Sequence, residues 1–109
     1  MIIKAGFIGA GGIAHSHAYA LQALKFYYRD APDIVFESVC SLRKESRDSF
    51  AERYLFGKSQ TLEEFVCNRE INTILILGPN KTHFEHFRMT LEMPAVERIY
   101  LEKDRKSVV

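Results

Sequence analysis

The chain predicts an α/β fold built on a parallel sheet, and three observations carry that prediction. Apolar runs of strand length alternate with stretches of helical periodicity along the whole sequence. The run Thr73–Leu77 is continuously apolar, and Ile34–Cys40 is rich in β-branched and aromatic residues, the pattern of parallel strands buried beneath helices. Between the first strand and the first helix lies Gly9-Ala10-Gly11-Gly12-Ile13-Ala14, a turn of flexible backbone.

Taken in order, Met1–Ile8 is a short apolar strand, and a helix runs from Gly12 to about Tyr28 with Ile13, His17, Leu21, Leu24 and Tyr28 facing inward. Phe26-Tyr27-Tyr28 then reads as the core-facing end of that helix. Pro32 in the turn at 29–33 ends it. Ile34–Cys40, rich in β-branched and aromatic residues, is the second strand. A helix begins near Glu45, with Phe50, Ala51, Tyr54 and Leu55 as its apolar face and Gly57 as its stop. Gly57–Gln60 reads as a loop. Thr61 and Glu64 have capping-box spacing, opening a short helix with Leu62, Phe65 and Val66 buried. Thr73–Leu77 is too short for a helix and reads as a central strand, broken by Gly78-Pro79-Asn80. Thr82 and Glu85 form a second capping-box pair, before a helix with Phe84, Phe87 and Leu91 inward and Pro94 beyond its end. Arg98–Glu102 is the final strand. Right-handed crossovers give about four strands in the order 3-2-1-4, a truncated doubly wound sheet of the Rossmann type within a single domain, residues 1–109. Four chemically suggestive loops, 9–14, 41–44, 78–83 and 102–104, then meet at the carboxyl ends of the strands.

Gly9, Gly11 and Ala14 fit the fingerprint G-x-G-x-x-G/A of a dinucleotide-binding turn. Gly9 permits the tight turn, Gly11 lets the backbone approach a pyrophosphate, and Ala14 lets the helix pack closely on the strand. The N–H groups around Gly12 and Ile13, at the positive end of the helix dipole, face the phosphates. At the end of the second strand, where an NAD site usually places Asp or Glu for the ribose, the chain has Ser41. Arg43 and Lys44 follow and suit a 2′-phosphate, which favours NADP over NAD. Their alternative reading is a solvated helix start. The same missing carboxylate speaks against S-adenosylmethionine.

Fifteen basic and fourteen acidic residues leave a formal charge of +1, which gives no electrostatic case for nucleic acid or an anionic membrane. No apolar run approaches the roughly 20 residues of a membrane span, and with no targeting signal at the N-terminus the expected location is the cytoplasm. Cys40 and Cys67 lack metal spacing and are expected to be free thiols. His15 with His17, and His83 with His86, lack a completing ligand set, so no metal is expected and capping and packing explain them.

The four loops together resemble the N-terminal domain of the glucose–fructose oxidoreductase, inositol dehydrogenase and rhizopine-catabolism (Gfo/Idh/MocA) family. The likeness runs through Gly9–Ala14 with His17, Phe50–Tyr54, the Thr-Pro-Asn-x-x-His-like stretch Gly78–His83, and Glu102-Lys103-Asp104 beside the family's Glu-Lys-Pro. The resemblance implies hydride transfer between a nicotinamide cofactor and a sugar, cyclic polyol or related secondary alcohol. It implies that Lys103 assists proton movement at the reacting carbon, and that Pro79, Asn80, His83 and Glu102 line the cofactor site. Two departures stand out. Asp104 replaces the family proline, whose peptide bond is often cis, and a non-proline cis bond costs about 2.5–4 kcal/mol. The family's larger C-terminal domain is also missing, so the chain is expected to be a fragment or a natural truncation, inactive alone. A non-catalytic NAD(P)-binding sensor or partner-binding module is the alternative. The open edge of the last strand predicts a homo-oligomer.

Overall fold

The structure, a computed structural model, describes residues 2–78 and 80–101. Nine elements alternate along it: β1 (Ile2–Ile8), α1 (Gly12–Tyr27), β2 (Asp33–Cys40), α2 (Lys44–Tyr54), β3 (Lys58–Gln60), α3 (Leu62–Val66), β4 (Thr73–Ile76), α4 (Asn80–Thr90) and β5 (Arg98–Leu101). All five strands are parallel, in the order β3-β2-β1-β4-β5. The order 3-2-1-4 therefore holds, with a fifth strand added. The third place is taken by Lys58–Gln60, expected as a loop, and the apolar run at 73 stands fourth, beside β1. Lys-Ser-Gln carries no strand signature of its own. It is a strand because Ser38, Val39 and Cys40 offer it a register, and the buried Ser38 hydroxyl donates to Gln60 Oε1 at 2.7 Å.

Side chains alternate across the sheet and form two apolar layers. Ala5, Phe7, Phe36, Leu75 and Leu77 pack with Ala14 and Ala18 of α1 and Phe50, Ala51 and Tyr54 of α2. Ile8, Cys40, Ile74 and Ile76 pack on the other side with Phe65 of α3, Ile71 and Met93. Gly6 sits at an irregularity in the β1–β2 register, where a Cβ would lie 2.7 Å from Phe65 Cζ and 2.8 Å from Ile71 Cδ1. Asn72 fastens the start of β1: its Oδ1 accepts from the Lys4 N–H at 2.9 Å and its Nδ2 donates to the Ile2 carbonyl at 3.0 Å.

Two helices present different faces from those expected. The buried line of α1 is Ala14–Ala18, both 0% exposed, while Ile13 is exposed and His17, Leu21 and Leu24 are only partly covered. Small residues win this position because they bring the helix axis closest to the sheet. At about 100° per residue, Tyr27 lies opposite Ala18, and Phe26 and Tyr28 lie about 80° to either side. All three are exposed, so this end of α1 is not core-facing. Leu55, expected on the buried face of α2, is instead its left-handed C-cap (φ 59°) and is exposed. In α4 the buried row is His83 and Thr90, and Phe84, Phe87 and Leu91 lie outward. Polar side chains fill the inner row because each finds a partner, His83 at the Gly78 carbonyl and Thr90 at the Phe87 carbonyl. Because α4 starts at Asn80, Thr82 and Glu85 lie within the helix and not at its cap. The capping box at Thr61 and Glu64 is formed. Cys40 and Cys67 are free thiols. Among the described residues no helix is long and apolar enough to cross a membrane.

Candidate dinucleotide site

Three strand ends converge on Gly9. Its N–H donates to the Cys40 carbonyl at the end of β2, and the Leu77 N–H donates to the Ile8 carbonyl, both at 2.8 Å. Gly9 has φ +118°, and a Cβ there would meet Gly78 N and Leu77 C at 2.9 Å. Only glycine fits, because the obstructing atoms are backbone and cannot move aside.

Gly11 and Gly12 are glycines for a different reason. A Cβ at either would meet nothing within 4 Å, so the protein leaves open space above the start of α1. Gly11 is the N-cap, no side chain caps the helix, and its first turn holds no acidic residue. The first N–H groups of a 16-residue helix, Gly12 and Ile13 among them, are thus left without side-chain partners. Open space, unclaimed donors and a helix dipole fit a pyrophosphate. His15 braces the turn from below, with Nδ1 2.8 Å from the Tyr54 hydroxyl and its ring 4.8 Å from Phe50.

At the end of β2 the Ser41 hydroxyl donates to the Arg43 carbonyl at 3.1 Å, which folds the loop back on itself. Arg43 is exposed at the N-cap of α2. Lys44 is exposed too, but its ammonium lies 2.6 Å from Asp48 Oδ2. Hydrogen bonds from Lys44 and then Ser59 hold the Asp48 carboxyl below the usual carboxylate range. Arg47, which sequence periodicity did not single out, lies buried beneath this loop and donates from Nη1 to the Ser41 carbonyl at 3.3 Å.

At the end of β4, His83 is buried with Nε2 2.6 Å from the Gly78 carbonyl, so Nε2 carries the proton and donates. The side chain shapes the loop from inside. Pro79, the Asn80 side chain, Glu102 and Lys103 lie outside the described residues. The His86 ring approaches Gly78 as well, and its Nδ1 is buried without a hydrogen-bond partner among the described residues. Burial holds His86 below its ordinary value of 6.5, with Glu85 opposing and His83 adding to the depression. An unfolded chain takes up the proton that the folded one resists, so His86 stabilises the fold above pH 6.5 and loses that contribution as pH falls toward the depressed folded value. The expected result is a melting temperature that drops as pH falls below 6.5, and drops less in His86→Leu; equal slopes in the two proteins contradict it.

Residues 3–103 match the GFO_IDH_MocA family, described as an oxidoreductase family with an NAD-binding Rossmann fold. Glucose-6-phosphate 3-dehydrogenase of Bacillus subtilis (strain 168) is 29% identical over 76% of this chain and 21% of its own length. A levoglucosan dehydrogenase solved in complex with NADH superposes with a TM-score of 0.83 at 25% identity, over 94% of this chain and 28% of that one. An NAD-binding oxidoreductase from Klebsiella pneumoniae shares the fold with the same TM-score at 20% identity, over 94% of this chain and 27% of its own. The chain thus spans between a fifth and a third of these relatives. The glycine turn at the sheet's switch point and the match over nearly its whole length place this chain in the Gfo/Idh/MocA oxidoreductase family, as an NAD-binding Rossmann fold.

Proposed function

We propose that the chain is the cofactor-holding part of an oxidoreductase that moves hydride between NADP(H) and a sugar, cyclic polyol or related secondary alcohol. The observation that carries this reading is the open cradle at Gly11 and Gly12, held at the head of α1 by a turn that only glycine can make. When bound, the nicotinamide supplies the hydride-accepting or hydride-donating carbon. The chain's own part is to bind and orient: the N–H groups at Gly12 and Ile13 take the pyrophosphate, and the loop from Ser41 to Arg43 takes the adenosine ribose. Ser41 in place of a carboxylate removes the group that would repel a 2′-phosphate, which supports NADP over NAD. Lys103, by its resemblance to the lysine of Glu-Lys-Pro, moves the proton at the reacting carbon. The substrate class rests on the relatives, whose names are those of sugar dehydrogenases.

Titration calorimetry of the chain with NADPH and NADH tests the proposal. Saturable one-to-one binding of both, with NADPH the tighter, is the expected result. Failure of both nucleotides to bind at millimolar concentration overturns the cofactor role, and tighter NADH overturns the NADP preference.

A further inference from the structure

We infer that Arg47, and not the neighbouring Lys44, is the residue that sets preference for a phosphate monoester at the loop between β2 and α2. The inference rests on the reading above, in which this loop borders the adenosine ribose. Arg47 stands one turn into α2 and is 9% exposed. Its single side-chain hydrogen bond among the described residues goes from Nη1 to the Ser41 carbonyl, and its Nε is buried with no partner among them. Among the described residues no carboxylate lies within ion-pair distance of it. The nearby acidic groups make their hydrogen bonds elsewhere and feel Arg47 only as a charge at longer range: Asp48 accepts from Lys44 and Ser59, and Glu64 closes the capping box on Thr61. Cys40 supplies no counter-charge, since burial keeps it a thiol.

A buried guanidinium with no carboxylate in ion-pair contact among the described residues is costly, and its field is weakly screened. That field acts on the loop above it, where Arg43 and the uncapped N-terminus of α2 add positive potential. Glu45 in the first turn of α2 opposes them from an exposed position, where water screens it. Lys44 is a poorer candidate, because its ammonium is exposed and already neutralised by Asp48. Arg47 is a positioning residue in this account: it is covered by the loop, holds the Ser41 carbonyl, and lends its charge to an anion bound on the far side. The ligand class is a 2′-phosphorylated adenosine, as in NADP.

Calorimetry with NADPH and NADH on Arg47→Gln, Arg47→Lys and Lys44→Ala tests this, with thermal melts to confirm folding. Arg47→Gln is expected to lower the NADPH-to-NADH affinity ratio by at least about tenfold, mainly through NADPH. Arg47→Lys keeps the charge and is expected to hold the ratio within about threefold, and Lys44→Ala to lower it by no more than about twofold. An equal loss for both nucleotides in Arg47→Gln means a merely structural role and overturns the inference, as does a larger change in ratio from Lys44→Ala. Should Arg47→Gln not fold, Arg47→Met removes the same charge at similar length and is expected to give the same fall in ratio, and an unchanged ratio in it overturns the inference. A wild-type chain that binds neither nucleotide defeats the cofactor reading itself, which is a separate outcome.

Discussion

Gly9→Ala is expected to cost about 3 kcal/mol of folding free energy, whereas Gly11→Ala changes stability by less than about 0.5 kcal/mol and weakens dinucleotide binding at least about tenfold. The two glycines stand two residues apart and serve opposite ends. At Gly9 a methyl group meets Gly78 N and Leu77 C at 2.9 Å, and φ +118° is a conformation that an L side chain rarely adopts. Strain and overlap add, because the obstructing atoms belong to the end of β4, which is hydrogen-bonded to β1. At Gly11 the backbone is extended (φ −89°, ψ −166°) and the space around a Cβ is empty. The folded protein therefore accepts alanine, and only a pyrophosphate approaching that backbone meets the methyl group. Chemical denaturation and calorimetry on both variants separate the effects. A neutral Gly9→Ala, or a Gly11→Ala that is as destabilising as its neighbour, removes the basis for dividing the turn this way.

Glycine chemistry was legible in the sequence because its requirement is local: the turn between β1 and α1 needs only its own residues to be read. The β-branched and aromatic content of β2 and the continuous apolar run of β4 were legible for the same reason, as was the Thr61 capping box. What stayed hidden depends on residues far away in the chain. Lys58–Gln60 is a strand only because β2 offers it a free edge. The inner faces of α1 and α4 follow closeness of approach and hydrogen-bond satisfaction, so Ala14, Ala18, His83 and Thr90 are buried while Ile13 and Phe84 are not. Arg47 belongs to no motif or apolar stripe, and its burial shows only in the fold, where it reaches the Ser41 carbonyl. Gly6 carries no turn signal at all, since its need is the space taken by Phe65 and Ile71. For the candidate site, type and spacing point to the turn at Gly9–Ala14 and the loop at Ser41. The bracing of that turn by His15 and Tyr54 was not, because the two residues meet only after α1 and α2 pack.

Phe7→Ala is expected to be the more damaging of two substitutions that look alike in sequence, costing about 3–5 kcal/mol against about 0.5 kcal/mol or less for Phe84→Ala. Both phenylalanines read as core residues. Phe7 is 0% exposed, in the central strand of the sheet, with its ring 5.1 Å from that of Phe56, 5.8 Å from Phe36 and 5.9 Å from Phe50. Removing it opens a cavity that three strands and two helices cannot all close, since its neighbours are held by β-sheet register on both sides, Val39 in β2 and Leu75 in β4. Phe84 is 77% exposed on the outer face of α4, where truncation takes little surface from the core. Domains of this size are stable by about 5–15 kcal/mol, so the Phe7 variant loses a large part of its margin. Phe7→Leu, which refills most of the volume, is expected to cost less than about 1.5 kcal/mol. The denaturation midpoints of the three variants, at unchanged slope, report these differences. A Phe84→Ala penalty equal to that of Phe7→Ala places the core on the wrong side of α4. The consequence reaches the site as well, because Ile8 and Gly9 follow Phe7 directly: a chain that has lost the Phe7 ring holds its turn less rigidly, and its dinucleotide affinity falls even though no residue facing the ligand has changed.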